Sequence, residues 1–181
     1  MAEMMAVLHP HVADDWEIPA GSLNWSCWTT AAHVAHDLMA YAGQVAGQPT
    51  TAYLPFDADV RANSDPQQVL DVVVACGQLL EYAVTSVDPS SRAWHWGACD
   101  PAGFAAMGVA EVLLHTYDIT RGLGIEWAPP EDESRAVLDR LFPDAPDGPA
   151  VDVLLWSTGR GELPDRPRLT SWRYQAALDA T

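Results

Sequence analysis

The stretch from Gly103 to Gly124, GFAAMGVAEVLLHTYDITRGLG, constrains this chain more than any other. Apolar side chains recur on nearly every turn of it, so a helix here is buried almost all round. Yet it carries Glu111, His115 and Asp118, and a buried charge is costly unless it is paired or coordinated. Glu111 and His115 stand four residues apart, one turn along one helix face, where both side chains reach a single ion. A carboxylate and an imidazole at this spacing suit a divalent transition metal, most simply zinc, when a third ligand arrives from another segment. Glu-x-x-x-His pairs also occur by chance as solvated or hydrogen-bonded side chains, so the pair needs support from the rest of the chain. The closing Arg121-Gly-Leu-Gly124 reads as a left-handed helix stop. It is not a phosphate loop, because the glycines follow a helix instead of opening one after a strand.

Two further long helices frame this one. A loop over 18–26, with Asn24 or Ser26 as cap, leads to a helix over about 26–46 whose apolar stripe is Val34, Leu38, Tyr41 and Val45. His33 and His36 lie near its start, three apart, and either one can face the interior. The plain alternative for each is an ordinary hydrogen-bonded histidine. A connection over 47–64, long enough for a crossover, precedes a helix over about 65–87, capped by Ser64 or Asp65 with Pro66 at its first position. Val69, Val72, Val73, Cys76, Leu79, Leu80, Ala83 and Val87 make its stripe, with Cys76 read as a small buried apolar residue. The segment from Ala2 to Trp16 has helical spacing interrupted at Pro10. Beyond the central helix, 129–142 and 149–158 read as shorter helices, the second breaking at Gly159. A loop over 88–101 holds His95 between Trp94 and Trp96, aromatic rings that suit a pocket mouth or a cover over the core. No set of alternating strands is evident. The expected class is all-α.

Composition narrows the function. With 181 residues, 49% of them hydrophobic, one domain over 1–181 has enough material for a proper core. A formal net charge of −16 argues against nucleic acid and anionic membrane as partners of the bulk surface. All nine basic residues are arginines, which excludes a Schiff-base lysine and a P-loop lysine. Four of them, Arg160, Arg166, Arg168 and Arg173, cluster near the carboxy end and are expected to neutralise acidic helices rather than to bind one carboxylate. Cys27, Cys76 and Cys99 are odd in number and lack a Cys-x-x-Cys spacing, favouring free thiols. With no charged-then-apolar leader and no uninterrupted apolar run of about 18 residues, the expectation is a cytoplasmic protein with no membrane or nucleic-acid partner.

Three stretches taken together resemble the DinB/YfiT-like metalloproteins, and among them the mycothiol-dependent maleylpyruvate isomerase group. Trp25-x7-His33, in the context Ala32-His33-Val34-Ala35, is similar to that group's tryptophan followed by a ligand histidine. Glu111-Val-Leu-Leu-His115-Thr-Tyr-Asp118, running to Gly124, resembles its Glu-x-x-x-His-aromatic-Asp segment. Leu154 to Arg160, with Leu163-Pro164 and Arg168 to Trp172, looks like the closing segment of short members. The resemblance implies a four-helix bundle with a long crossover. It further implies one divalent metal, zinc or alternatively nickel, held by His33, Glu111 and His115 with positions left open. A Trp28-x7-His36 frame exists as well, so His36 competes with His33 as third ligand; His33 is preferred because its neighbours fit better. The isomerases of this group carry an additional carboxy-terminal domain, whereas the length here matches the metal-binding domain alone.

By the same resemblance, mycothiol would enter as co-substrate and attack a small electrophilic substrate as thiolate, in an isomerase or a thiol S-transferase. Asp118, one turn beyond His115, is a candidate partner for a ligand histidine. A metal-dependent hydrolase of a small amide or ester, and a non-catalytic metal-binding stress protein, are the alternatives. Pairing of two bundles into a homodimer stays open.

Overall fold

A computed structural model describes residues 1–178, which form a mostly helical chain. In order it runs α1 (Ala2–Leu8), a short 3-10 turn (His9–His11), α2 (Cys27–Gly47), α3 (Pro66–Ser86), β1 (Ala93–Trp94), β2 (Ala98–Cys99), α4 (Pro101–Leu123), α5 (Glu131–Leu141) and α6 (Ala150–Ser157). The three long helices fall where hydrophobic spacing places them, and their starts are set by side chains. Ser26 caps α2 by accepting from the Thr29 N–H. Asp65 caps α3 in a reciprocal box with Gln68, Pro66 following at the first helical position. Asp100 caps α4 through the Gly103 N–H. Gly124 ends α4 at φ +71°, the left-handed conformation that a side chain adopts only at a cost. Only the first half of the Ala2–Trp16 segment is α-helical, because Pro10 falls in the 3-10 turn.

Helix α4 is central. It packs against α2, α3, α1 and α5, and 14 of its 23 residues are buried, against 5 of the 21 in α3. Close approach is built in at Gly108, where a Cβ would stand 2.5 Å from Leu80 and 3.2 Å from Leu38, so α2, α3 and α4 meet over a residue with no side chain. Burial of α4 is not complete all round, since Val109 is 41% exposed. The α3 stripe is also wider than the core it feeds: Val69, Val73, Cys76 and Leu80 are buried, whereas Val72 and Leu79 remain exposed. At 21 residues and a mean hydropathy of 1.4, α3 is long and apolar enough to cross a bilayer. Its inward face packs on α2, and 28% of its apolar window is buried.

The 47–64 connection is anchored by Gln44, a fully buried polar residue on α2. Its amide donates to the Trp94 carbonyl at 2.8 Å and accepts from the Leu54 N–H at 2.9 Å, tying the crossover to the β1–β2 hairpin. That antiparallel hairpin, pairing Ala93 with Cys99 and Trp94 with Ala98, departs from the strandless expectation. Two-residue strands are too short to leave an alternating pattern. The segment after α6 has no regular structure but is pinned: Gln175 N–H donates to Leu141, and Arg140 bridges Asp100 and the Ala176 carbonyl.

Candidate metal centre

Helices α2 and α4 run against each other, and their facing sides carry the site. Nε2 of His115 lies 3.2 Å from Glu111 Oε2, and Nε2 of His33 lies 3.8 Å from the same oxygen. One donor atom from each of His33, Glu111 and His115 lies within 4.8 Å of the other two. Ligand atoms around a tetrahedral zinc with bonds of about 2.0 to 2.2 Å stand roughly 3.3 to 3.6 Å apart. The two contacts to Glu111 bracket that spacing, and two imidazole nitrogens with one carboxylate oxygen form a donor set that zinc or nickel accepts. The group can therefore hold a divalent ion. His36 is not among the converging atoms.

The surroundings orient the donors. Asp118 Oδ2 lies 2.9 Å from His115 Nδ1, so Nδ1 carries the proton it gives to the carboxylate and Nε2 is left to face Glu111. Arg160 in turn grips Asp118 with two bonds, Nε to Oδ1 at 2.9 Å and Nη2 to Oδ2 at 2.6 Å. This buried fork corrects the expectation that the carboxy-terminal arginines act only as diffuse neutralising charge; planar, two-point recognition of a carboxylate is what arginine does best. On the other side, Tyr41 donates to Glu111 Oε1 at 3.4 Å, leaving Oε2 for the histidines. The Trp25 ring packs against His33 at a centroid distance of 4.8 Å, tilted by 57°.

Titration behaviour follows from the burial and pairing. Burial disfavours the His115 imidazolium, but the bonds to Asp118 and Glu111 outweigh it and lift the pKa to about 9. His33 is pushed down by burial and by the charge on His115. Burial pushes the Glu111 and Asp118 carboxyls up, yet His115 brings both net below their ordinary range, with Arg160 contributing to each. Asp37, one turn along α2 from His33 and 3.4 Å from its Nε2, is pushed up to about 7 by burial and by Glu111.

No protein-family model, curated protein or solved structure matches this chain. The structure brings together His33, Glu111 and His115, with Asp118 against His115 as its spacing suggested. Sequence reasoning missed Asp37, although it stands to His33 as His115 stands to Glu111, four residues along one face. It also counted Tyr41 only as apolar stripe, whereas its hydroxyl bonds both Glu111 and, at 3.2 Å, the Tyr174 hydroxyl. Tyr174 stacks on His95 at 5.8 Å and 18°, and His95 Nδ1 pairs with the Tyr53 hydroxyl. His95 is thus buried within an aromatic cluster, its pKa pushed down to about 4 by burial. Of its flanking tryptophans, Trp94 is half-buried and Trp96 stands out at 80% exposure. All three cysteines are buried and free, and burial pushes their thiols up, Cys27 to about 11 and Cys99 to about 12.

Proposed function

We propose that this chain is a divalent-metal protein of the DinB/YfiT-like four-helix type, holding zinc or nickel on His33, Glu111 and His115, and that it promotes attack of a low-molecular-weight thiol on a small electrophile. The observation that carries this reading is the convergence of two imidazoles and one carboxylate from α2 and α4, with His115 Nδ1 already engaged by Asp118. When bound, the ion would supply positive charge that lowers the pKa of an entering thiol or water. The remaining work belongs to the chain. Asp118 and Arg160 hold the His115 tautomer, Tyr41 fixes the Glu111 carboxylate, and Asp37, beside His33 but outside the ligand group, is placed to accept the proton that an entering nucleophile gives up.

An external nucleophile is favoured over an internal one because the chain's own thiols are buried with raised pKa, the opposite of the electropositive, partly exposed setting a reactive cysteine needs. Mycothiol is the thiol that the resemblance to the maleylpyruvate isomerase group suggests, and isomerisation or S-transfer the outcome. The position of Asp37 serves a second reading equally, hydrolysis of a small amide or ester with water as nucleophile. One assay separates them. Metal-loaded protein is incubated with an electrophile such as an activated ester of a conjugated acid, with and without mycothiol. Loss of substrate that requires the thiol supports the transferase or isomerase reading, thiol-independent cleavage supports the hydrolase, and no turnover at full metal occupancy supports a non-catalytic metal-binding protein.

A further inference from the structure

A cavity of about 810 Å³ adjoins the metal centre without including it: Tyr174 and His95 line it, whereas His33, Glu111 and His115 do not. Its volume is that of a small-molecule site, roughly 300 to 1,000 Å³. Phe142, Trp156, Trp172 and Tyr174 supply aromatic wall, and Trp96 lines it from the hairpin tip. Phe142, Trp172 and Tyr174 pack mutually, with centroids 6.2 to 6.3 Å apart. Rings that cage a cation stand apart around it; these pack on one another, tilted by 42° and 45° or edge-on at 83°, and make one connected aromatic surface. That surface is held in place. The Trp156 indole donates to the Pro167 carbonyl at 3.0 Å and is covered by Arg166 at 5.3 Å. Trp172 lies over Gly159, where φ is +67° and an added Cβ would stand 3.2 Å from the indole.

One feature marks the cavity as a place for a ligand rather than a gap in packing. Trp96 takes φ +54°, which few non-glycine residues adopt, and leaves its ring 80% exposed, so the backbone there bears strain while forgoing apolar burial. The charged lining groups, exposed Arg173 and Asp144, contribute one charge of each sign, so nothing there selects an ion. The geometry points to a binding site for a small, uncharged, planar conjugated molecule, set beside the candidate metal centre and joined to it by the Tyr174–Tyr41–Glu111 hydroxyl chain. This assignment goes beyond the proposed metal chemistry and does not depend on it.

Calorimetric titration of the full chain with 4-nitrobenzyl alcohol tests it, in metal-loaded protein and again after chelation. One molecule should bind per chain with an affinity that agrees within about twofold between the two forms, because no metal ligand lines the cavity. Cyclohexylmethanol, similar in size but not planar, should bind about threefold to tenfold more weakly, and Trp172→Ala should weaken the nitroaromatic by a similar factor. Trp172→Phe should restore most of the loss, and Tyr82→Ala, on the exposed face of α3, should change nothing. Absence of binding at millimolar ligand, equal affinity for the two alcohols, or a folded Trp172→Ala protein that binds as well as the parent would each overturn the assignment. Binding that persists without metal while thiol chemistry fails would leave this site standing and remove only the proposed activity.

Discussion

Metal binding at this centre should expel a proton from His115, and the amount is set by the groups around it. Burial works against the imidazolium, but Asp118 and Glu111 hold it, so the metal-free protein keeps that proton until about pH 9. His33, pushed below its ordinary value by burial and by the His115 charge, is neutral at pH 7 and competes with no proton. A coordinating imidazole must first be deprotonated, so the apparent association constant should rise about tenfold per pH unit from pH 7 towards pH 9. Competition with the proton then weakens binding about 100-fold at pH 7, or ~2.7 kcal/mol. Asp37, pushed up to about 7 by burial and by Glu111, is a second source of protons near neutrality. By pH 8 it is largely ionised, which isolates His115 there. The assay is zinc titration of chelated protein by calorimetry in buffers of different ionisation enthalpy. At pH 8 about one proton per ion should leave from His115, and no second one from it, because Nδ1 keeps its proton for Asp118; water on the ion's open position, its pKa lowered to about 7 on zinc, would add up to one more. An affinity flat between pH 7 and 8.5 with no proton released would refute the reasoning, since His115 could then be neither protonated nor displaced.

The remaining expectations concern the ligands, their support and the core. His33→Ala, Glu111→Ala and His115→Ala should each lower metal occupancy measured by elemental analysis, whereas His36→Ala, outside the converging group, should not. Arg160→Met strips the buried Asp118 carboxylate of its guanidinium fork and should cost about 3 kcal/mol in urea unfolding of the chelated protein, the usual scale for breaking a buried pair from one side. Gly122→Ala would set a Cβ 2.5 Å from the Pro19 carbonyl oxygen and 2.8 Å from Cys27 Sγ; the backbone cannot yield cheaply, so a loss of about 1 to 3 kcal/mol is expected from the same measurement. In metal-free protein, the His115 contribution to stability is complete below about 6.5 and is lost as pH rises through about 9, since the folded state holds the proton more tightly than the unfolded chain. The melting temperature of chelated protein should therefore fall over that window while its helical circular dichroism persists, and His115→Gln should flatten the fall.

What the sequence could reveal was whatever helix geometry repeats. The starts of α2, α3 and α4 lie within a residue or two of the expected ones because each depends on a cap and a stripe, both local. Glu111 and His115 were legible for the same reason, as was the placing of Asp118 against His115. Spacing alone could not choose between His33 and His36, which are three apart on α2. The choice depends on the rotation of α2 about its axis against α4, which is set by the packing of Leu38, Gly108 and their neighbours.

The parts that escaped lie where no period exists. Residues 159–178 contain prolines, arginines and aromatic residues in an irregular path, so which carboxylate Arg160 reaches is decided by how the segment leaves α6 and where Arg140 and Leu141 pin it. Nothing local distinguishes Arg160, buried on Asp118, from Arg166, laid over Trp156. The consequence bears on the centre itself. Its candidate ligands come from two helices that fold on local signals and a shared core, but the groups that orient them, Arg160 on Asp118 and Tyr174 on Tyr41, arrive from this irregular segment. The donors can therefore be brought near one another by the helices alone, whereas the fixed His115 tautomer and the Tyr174 contact to Tyr41 require the segment to be docked.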